Sequence, residues 1–113
     1  MTSASAITKS VRITPRKARL AAGLIRGKSV AYASAQLEFS SLKGGRLLKK
    51  TLDSAVANAE TQLDVRREDL VVSEVRIDQG PVLKRAKPKN RGGQHPILKR
   101  TSHFTVVVSR NKE

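Results

Sequence analysis

Hydrophobic residues recur along this chain at two spacings, and each change of spacing marks the edge of an element. From Ala6 to Ile13 the pattern alternates and sets Ile7, Val11 and Ile13 on one face, which predicts a short strand. Thr14-Pro15 follows as an N-cap with proline in the first helical position. Ala18, Ala21, Ala22 and Ile25 then recur at helical spacing, and Gly27 closes the segment as a C-cap glycine does. A second short helix is predicted from about Ser29 to Leu37, with Val30, Ala33 and Leu37 turned inward. The Ser40-Ser41 pair is the next candidate cap. Beyond it, Leu48, Leu52, Ala55, Val56 and Ala59 mark a longer amphipathic helix. Gly44 and Gly45 are weak helix formers, so its start can be as late as Arg46. Asn58, a polar insertion among alanines, reads as a local hydrogen-bonding residue.

The character changes after Gln62. Asp64 to Asp69 is a polar connector, and Val71, Val75 and Ile77 then mark a strand with Glu74, Arg76 and Asp78 on its other face. Near the end Phe104, Val106 and Val108 alternate in the same way, and the two later strands read as an antiparallel pair. The fold class expected is α+β: three helices packed on a three-stranded antiparallel sheet. Residues 1–113 are expected to form a single domain.

One segment does not fit a compact body. Between Ile77 and Phe104 the chain runs through a stretch too long for an ordinary loop in a small domain. No acidic residue occurs from Gln79 to Lys112, while Lys84, Arg85, Lys87, Lys89, Arg91, Lys99 and Arg100 crowd the segment. Asn90, Gly92 and Gly93 are turn formers, and Val82, Leu83, Ile97 and Leu98 suit two paired limbs, so a β-hairpin arm over about residues 79–99 is expected. About a dozen residues at ~3.3 Å each would carry its tip some ~40 Å outward. Pro81, Pro88 and Pro96 each remove a ladder donor, which makes it an irregular ribbon. The competing reading is a solvated, disordered basic loop; order gained on binding reconciles the two.

Charge changes the picture from fold to partner. Lys and Arg number 23 against 9 Asp and Glu, a formal charge of +14 on 113 residues. Such self-repulsion is relieved by a polyanion, commonly a nucleic acid or an acidic membrane surface. Aromatics make up 3% of the chain, with no Trp, which disfavours both a membrane-surface role and single-strand binding by base stacking. Recognition is therefore expected to rest on phosphates, riboses and the shape of folded RNA. There is no cysteine, so disulfides, thiolate metal sites and thiol nucleophiles are excluded. No apolar run approaches bilayer length, and no apolar signal core stands at the N-terminus. The opening stretch has no acid before Glu38 and is rich in Ser, Ala, Lys and Arg, as transit peptides are, but the same residues already read as strand and helix. A cytoplasmic protein is the better reading.

Catalytic constellations are wanting. No phosphate-cradling glycine loop precedes a lysine and Ser or Thr, and Asp64, Glu68 and Asp69 read as connector charges. His95 and His103 stand apart without a carboxylate companion, so neither a metal pair nor a catalytic base is expected, and His103 reads as a strand cap or an RNA contact. No enzyme, cofactor or metal site is anticipated. The basic residues Arg16, Lys17, Arg19 and Lys28 read equally as a phosphate-binding surface or an ordinary solvated face. A DNA-binding helix-turn-helix across Arg26-Gly27-Lys28 is the serious rival, although that motif makes no use of a basic arm.

Several stretches together resemble the bacterial large-subunit ribosomal protein 22 family. They are Thr14 to Leu20, Leu24 to Lys28, Leu52 to Glu60, Asp78-Gln79-Gly80-Pro81 with Lys84-Arg85, and Ile97 to His103 running into Thr105 to Val108. Each is short, but their joint occurrence in order is specific. The tip departs from the family pattern: Lys89-Asn90-Arg91-Gly92-Gly93 stands where Arg, a small residue and Gly are usual. The resemblance implies a structural constituent of the large ribosomal subunit, cytoplasmic and within the ribosome. It implies binding to 23S ribosomal RNA, a part in early assembly, and an arm that bridges several RNA domains and lines the polypeptide exit tunnel. On the body it points to Arg12, Arg16, Lys17, Arg19, Arg26 and Lys28 as RNA-binding, with Lys49, Lys50 and His103. On the arm it adds Lys84, Arg85, Lys87, Lys89, Asn90, Arg91, Lys99 and Arg100. Gly80, Pro81, Leu83, Pro88, Gly92 and Gly93 would belong to the tunnel-lining arm. The implied partners are 23S ribosomal RNA, neighbouring large-subunit ribosomal proteins and the nascent polypeptide, with no membrane and no homo-oligomer. In this family changes near the tip affect tunnel-binding macrolides.

Overall fold

Thr14 sits in extended conformation at φ −70° and accepts a hydrogen bond from the Lys17 amide, so the helix α1, Pro15–Ile25, starts where its cap requires. The computed structural model describes residues 3–88 and 94–110, with 85–88 and 94–97 followed by their backbone. Ala18, Ala21, Ala22 and Ile25 are buried, and Gly27 leaves the helix at φ +79°, where side chains other than glycine are strained. Ser29 caps α2, Val30–Glu38, through the Tyr32 amide, and Val30, Ala33 and Leu37 face the core.

The third helix, α3, runs over Lys43–Gln62 and starts earlier than its glycines suggest. Its cap position is Leu42, with no side-chain cap, so the serine pair is not the N-cap; Ser40 accepts instead from the Leu42 amide. Gly44 and Gly45 are buried because neighbours press on them: a Cβ on Gly44 would lie 3.1 Å from Ile13 Cδ1, and one on Gly45 would lie 2.8 Å from Ser40. Close packing outweighs the entropic penalty of glycine here. Leu48 and Leu52 are fully buried, each contributing about 1.5–3 kcal/mol of transfer free energy.

Three strands form the main sheet: β1, Ser3–Val11; β2, Leu70–Gln79; and, last in the chain, Ser102–Arg110, which lies between them and is antiparallel to both. Its residues Phe104, Val106 and Val108 are fully buried against the helices, as their alternation predicts. A short 3-10 turn, Arg67–Asp69, precedes β2.

Two expected strand faces require correction, for one physical reason. In β1, Ala4 is buried, Ala6 packs on the core and Thr8 bonds Thr51 of α3, whereas Ile7 is 58% exposed. The partner pairs Thr8 with Phe104 and Val11 with Ser102, so Lys9 and Ser10 together oppose His103 alone. That bulge, with Ser10 at φ +56°, reverses the inward parity, and Val11 and Ile13 return to the core. In β2 the inward set is Leu70, Val72, Val75 and Ile77; an irregularity between Val72 and Glu74 shifts the parity and leaves Val71 outside that set.

The remaining strands, β3, Leu83–Pro88, and β4, Gln94–Lys99, pair only with each other and form the expected ribbon. We number the final strand, Ser102–Arg110, β5. The radius of gyration is 17.1 Å and the extents are 65 × 25 × 16 Å, against about 13 Å for a compact body of this size.

Candidate nucleic-acid interface

The cations divide by what the fold does with them. Arg19 and Arg26 lie on α1 and at its C-cap, beside β2, which is an edge strand. The Arg19 guanidinium donates to the Ile77 carbonyl at 2.9 Å and that of Arg26 to the Val75 carbonyl at 2.7 Å. They cover carbonyls two residues apart on the open edge of the sheet, which would otherwise invite another strand. Farther along, the Gly27 amide donates to the Val72 carbonyl and the Val72 amide to the Lys28 carbonyl, so the turn after α1 seals the rest of that edge. Both arginines remain exposed, and a guanidinium with five donors has others to offer.

Lys28 lies over the Tyr32 ring at 5.7 Å. Lys49 is ion-paired with Asp53 at 3.2 Å one helical turn away, so part of its charge is answered within the chain, while Lys50 is exposed. Arg12, Arg16 and Lys17 are exposed around the start of α1. His103 is half-buried and its Nδ1 accepts from the Ser10 amide at 3.0 Å, which satisfies the donor that the bulge withdraws from the ladder. His103 thus has a structural task in β1–β5 pairing. Asn58 is not a local residue of the kind expected: its amide donates to the Ser5 carbonyl of β1, 53 residues away.

In the arm, the register sets Leu83 opposite Lys99, Lys84 opposite Leu98, and Arg85 opposite Ile97. Each of these cations faces an uncharged residue across the ribbon, which keeps like charges off directly opposed positions. Lys87 stands opposite His95, and Pro88 opposite Gln94. Lys84, Lys99 and Arg100 are exposed. Lys89, Asn90, Arg91, Gly92 and Gly93 lie outside the described residues.

The arm leaves the body through a hydrogen-bonded root. The Gly80 amide donates to the Thr101 carbonyl at 2.9 Å, the Thr101 hydroxyl to the Pro81 carbonyl at 2.6 Å, and the buried Ser102 hydroxyl to the Ile13 carbonyl at 2.8 Å. A Cβ on Gly80 would come 2.5 Å from Thr101 Oγ1 and 3.1 Å from His103 Cε1. Gly80 and Pro81 therefore belong to the root, and Leu83 opens the ribbon. These roles of Thr101, Ser102 and Ser10 have no mark in the sequence, because single polar residues carry no periodic signal.

Arg12, Lys17, Lys99 and Arg100 come together beside the root, around a cavity of about 540 Å³ also lined by Lys43 and Leu42 from the start of α3. Lys43 lies outside the set of contacts that the sequence suggests. By contrast α2, which would be the recognition helix of a helix-turn-helix, contains neither Lys nor Arg.

The family model described as ribosomal protein L22p/L17e matches residues 6–109. The large ribosomal subunit protein uL22 of Protochlamydia amoebophila is 79% identical over 109 residues, covering 96% of this chain and 98% of that protein. Proteins of the same name from Chlamydia abortus and Chlamydia muridarum are 65% and 61% identical over 103 residues, 91% of this chain and 93% of each relative. Matched over nearly its whole length, the chain belongs to the ribosomal protein L22p/L17e family.

Proposed function

We propose that this chain is an RNA clamp of the large ribosomal subunit, binding 23S ribosomal RNA with its body and joining remote RNA segments with its arm. Membership of the family makes it a structural, non-enzymatic ribosomal protein. The finer reading adds a single RNA-binding domain over residues 1–113 with an arm at about 79–99, action early in subunit assembly, and an arm surface toward the exit tunnel and its nascent chain. The observation that carries it is the β3–β4 ribbon, which takes no part in the core sheet and holds Lys84, Arg85 and Lys99 opposite uncharged partners. A ribbon that adds no core burial but concentrates positive charge is accounted for by a phosphate partner.

Arg12, Arg16, Lys17, Lys50, Lys99 and Arg100 are the described residues with the most direct phosphate role, since they are exposed and none is ion-paired with a carboxylate among the described residues. Arg19, Arg26, Lys28 and Lys49 contribute with part of their bonding already engaged. The test is binding to 23S ribosomal RNA against duplex DNA of equal length, across a salt series, for the full chain and for one lacking residues 82–96. A salt-steep affinity with strong RNA preference that falls without the arm is expected. Equal affinity for both polymers, indifferent to the arm, would sink the clamp.

A further inference from the structure

We propose that the cavity at the arm root is a seat for one nucleotide extruded from its RNA helix, with the base on an aliphatic floor and its phosphates on the rim. This deepens the RNA-binding reading above and rests on it. The floor is made by Leu20 of α1, Leu42 at the cap of α3 and Leu98 of β4, over Ile13. These three leucines remain 62%, 39% and 49% exposed, although each comes from a different segment and all converge on one hollow. Convergent, wet apolar groups of this size mark a binding surface more than scattered exposure does.

The rim supplies the other half of a nucleotide's chemistry. Arg12, Lys17, Lys43, Lys99 and Arg100 surround the hollow, and among the described residues no acidic one lines it. None of the five is ion-paired with a carboxylate among the described residues. A continuous duplex would offer phosphates to this rim but leave the leucines in water. A free phosphate would do the same. A splayed-out base presents an apolar face to the floor while its backbone stays at the rim, and unpaired bases are what proteins read in folded RNA. The volume, about 540 Å³, lies in the ~300–1,000 Å³ range of sites for small organic groups. Position agrees with this: the hollow joins the basic start of α1 to the base of the arm, so an RNA strand passing from body to arm crosses its mouth.

Floor and rim make separable predictions. Full chains carrying Leu20→Ser with Leu42→Ser are titrated with 23S ribosomal RNA across a salt series, beside Lys99→Ala with Arg100→Ala. The floor variant is expected to lose about tenfold in affinity at every salt concentration, with the slope of log affinity against log salt unchanged. The rim variant is expected to lower the magnitude of that slope by roughly 1.5–2 units, as two lost phosphate contacts require. Chemical probing of the RNA should show one unpaired nucleotide protected by the unaltered chain and exposed again with the floor variant. Both leucines are at the surface, and circular dichroism checks that the floor variant stays folded. A photo-crosslinking residue at position 42, in assembled large subunits, should join to RNA. A floor variant that binds and protects as the unaltered chain does, or a crosslink to protein only, overturns the seat while leaving the clamp standing. Failure of the unaltered chain to bind RNA removes both.

Discussion

At Gly80 a hydrogen atom does the work of a side chain. Any Cβ there would press on Thr101 Oγ1 at 2.5 Å, and that hydroxyl is already committed to the Pro81 carbonyl. Gly80→Ala should therefore destabilise the chain by about 1–3 kcal/mol, read as a lower urea midpoint. Thr101→Val keeps the shape but leaves the Pro81 carbonyl without its donor, and a loss of about 1–2 kcal/mol is expected in the same measurement. An unchanged midpoint in both variants would show that the root is not the fixed joint its bonds describe. None of this is legible in the sequence, where Asp78-Gln79-Gly80-Pro81 opens the expected arm without saying what Gly80 leans on.

Among the elements, the sheet edges show how one group of residues serves two ends. Both edge strands are covered from the helical layer: β1 by Asn58 on its Ser5 carbonyl, β2 by Arg19 and Arg26. From helical spacing alone the two arginines read as a solvated or RNA-facing surface and Asn58 as a local hydrogen-bonding residue, because spacing does not reveal which strand lies beneath. Arg26→Lys separates the tasks: it keeps the charge but not the planar fork that reaches the Val75 carbonyl. A stability loss of about 1 kcal/mol with an unchanged salt slope for RNA binding is expected. A flattened slope with full stability would assign Arg26 to RNA and not to the edge. The positions of α1 and α2 are legible because caps and apolar stripes are local, as Thr14, Ser29 and Gly27 show, whereas α3 starts without a side-chain cap and its first turn is not.

For the whole molecule, the decisive property is the separation of core from charge. The apolar residues close on one another between helices and sheet, while the ribbon carries its cations beyond them. Replacing Lys84, Arg85 and Lys87 together by Ala should leave thermal stability within about 1 kcal/mol, because β3 lies outside the core sheet. The same variant should lower the magnitude of the salt slope for 23S ribosomal RNA by roughly 2–3 units. An unaltered slope would remove these residues from the interface, and a large fall in stability would show that the ribbon supports the body.

The sequence by itself determined the helices, the pairing of the last two core strands, the absence of thiol chemistry and the basic arm. Each of these follows from local periodicity, capping chemistry or composition. Only the tertiary structure decided which face of β1 and β2 is buried, since one extra residue in each strand reverses a parity that alternation assumes constant. It alone placed Gly44 and Gly45 inside α3, where a Cβ would be tight against Ile13 at the first and collide with Ser40 at the second. It alone gathered Leu20, Leu42 and Leu98 with five cations into one hollow. They come from three stretches far apart in the chain, 12–20, 42–43 and 98–100, and only the close packing of α1, α3 and the arm root brings these within reach of a single ligand.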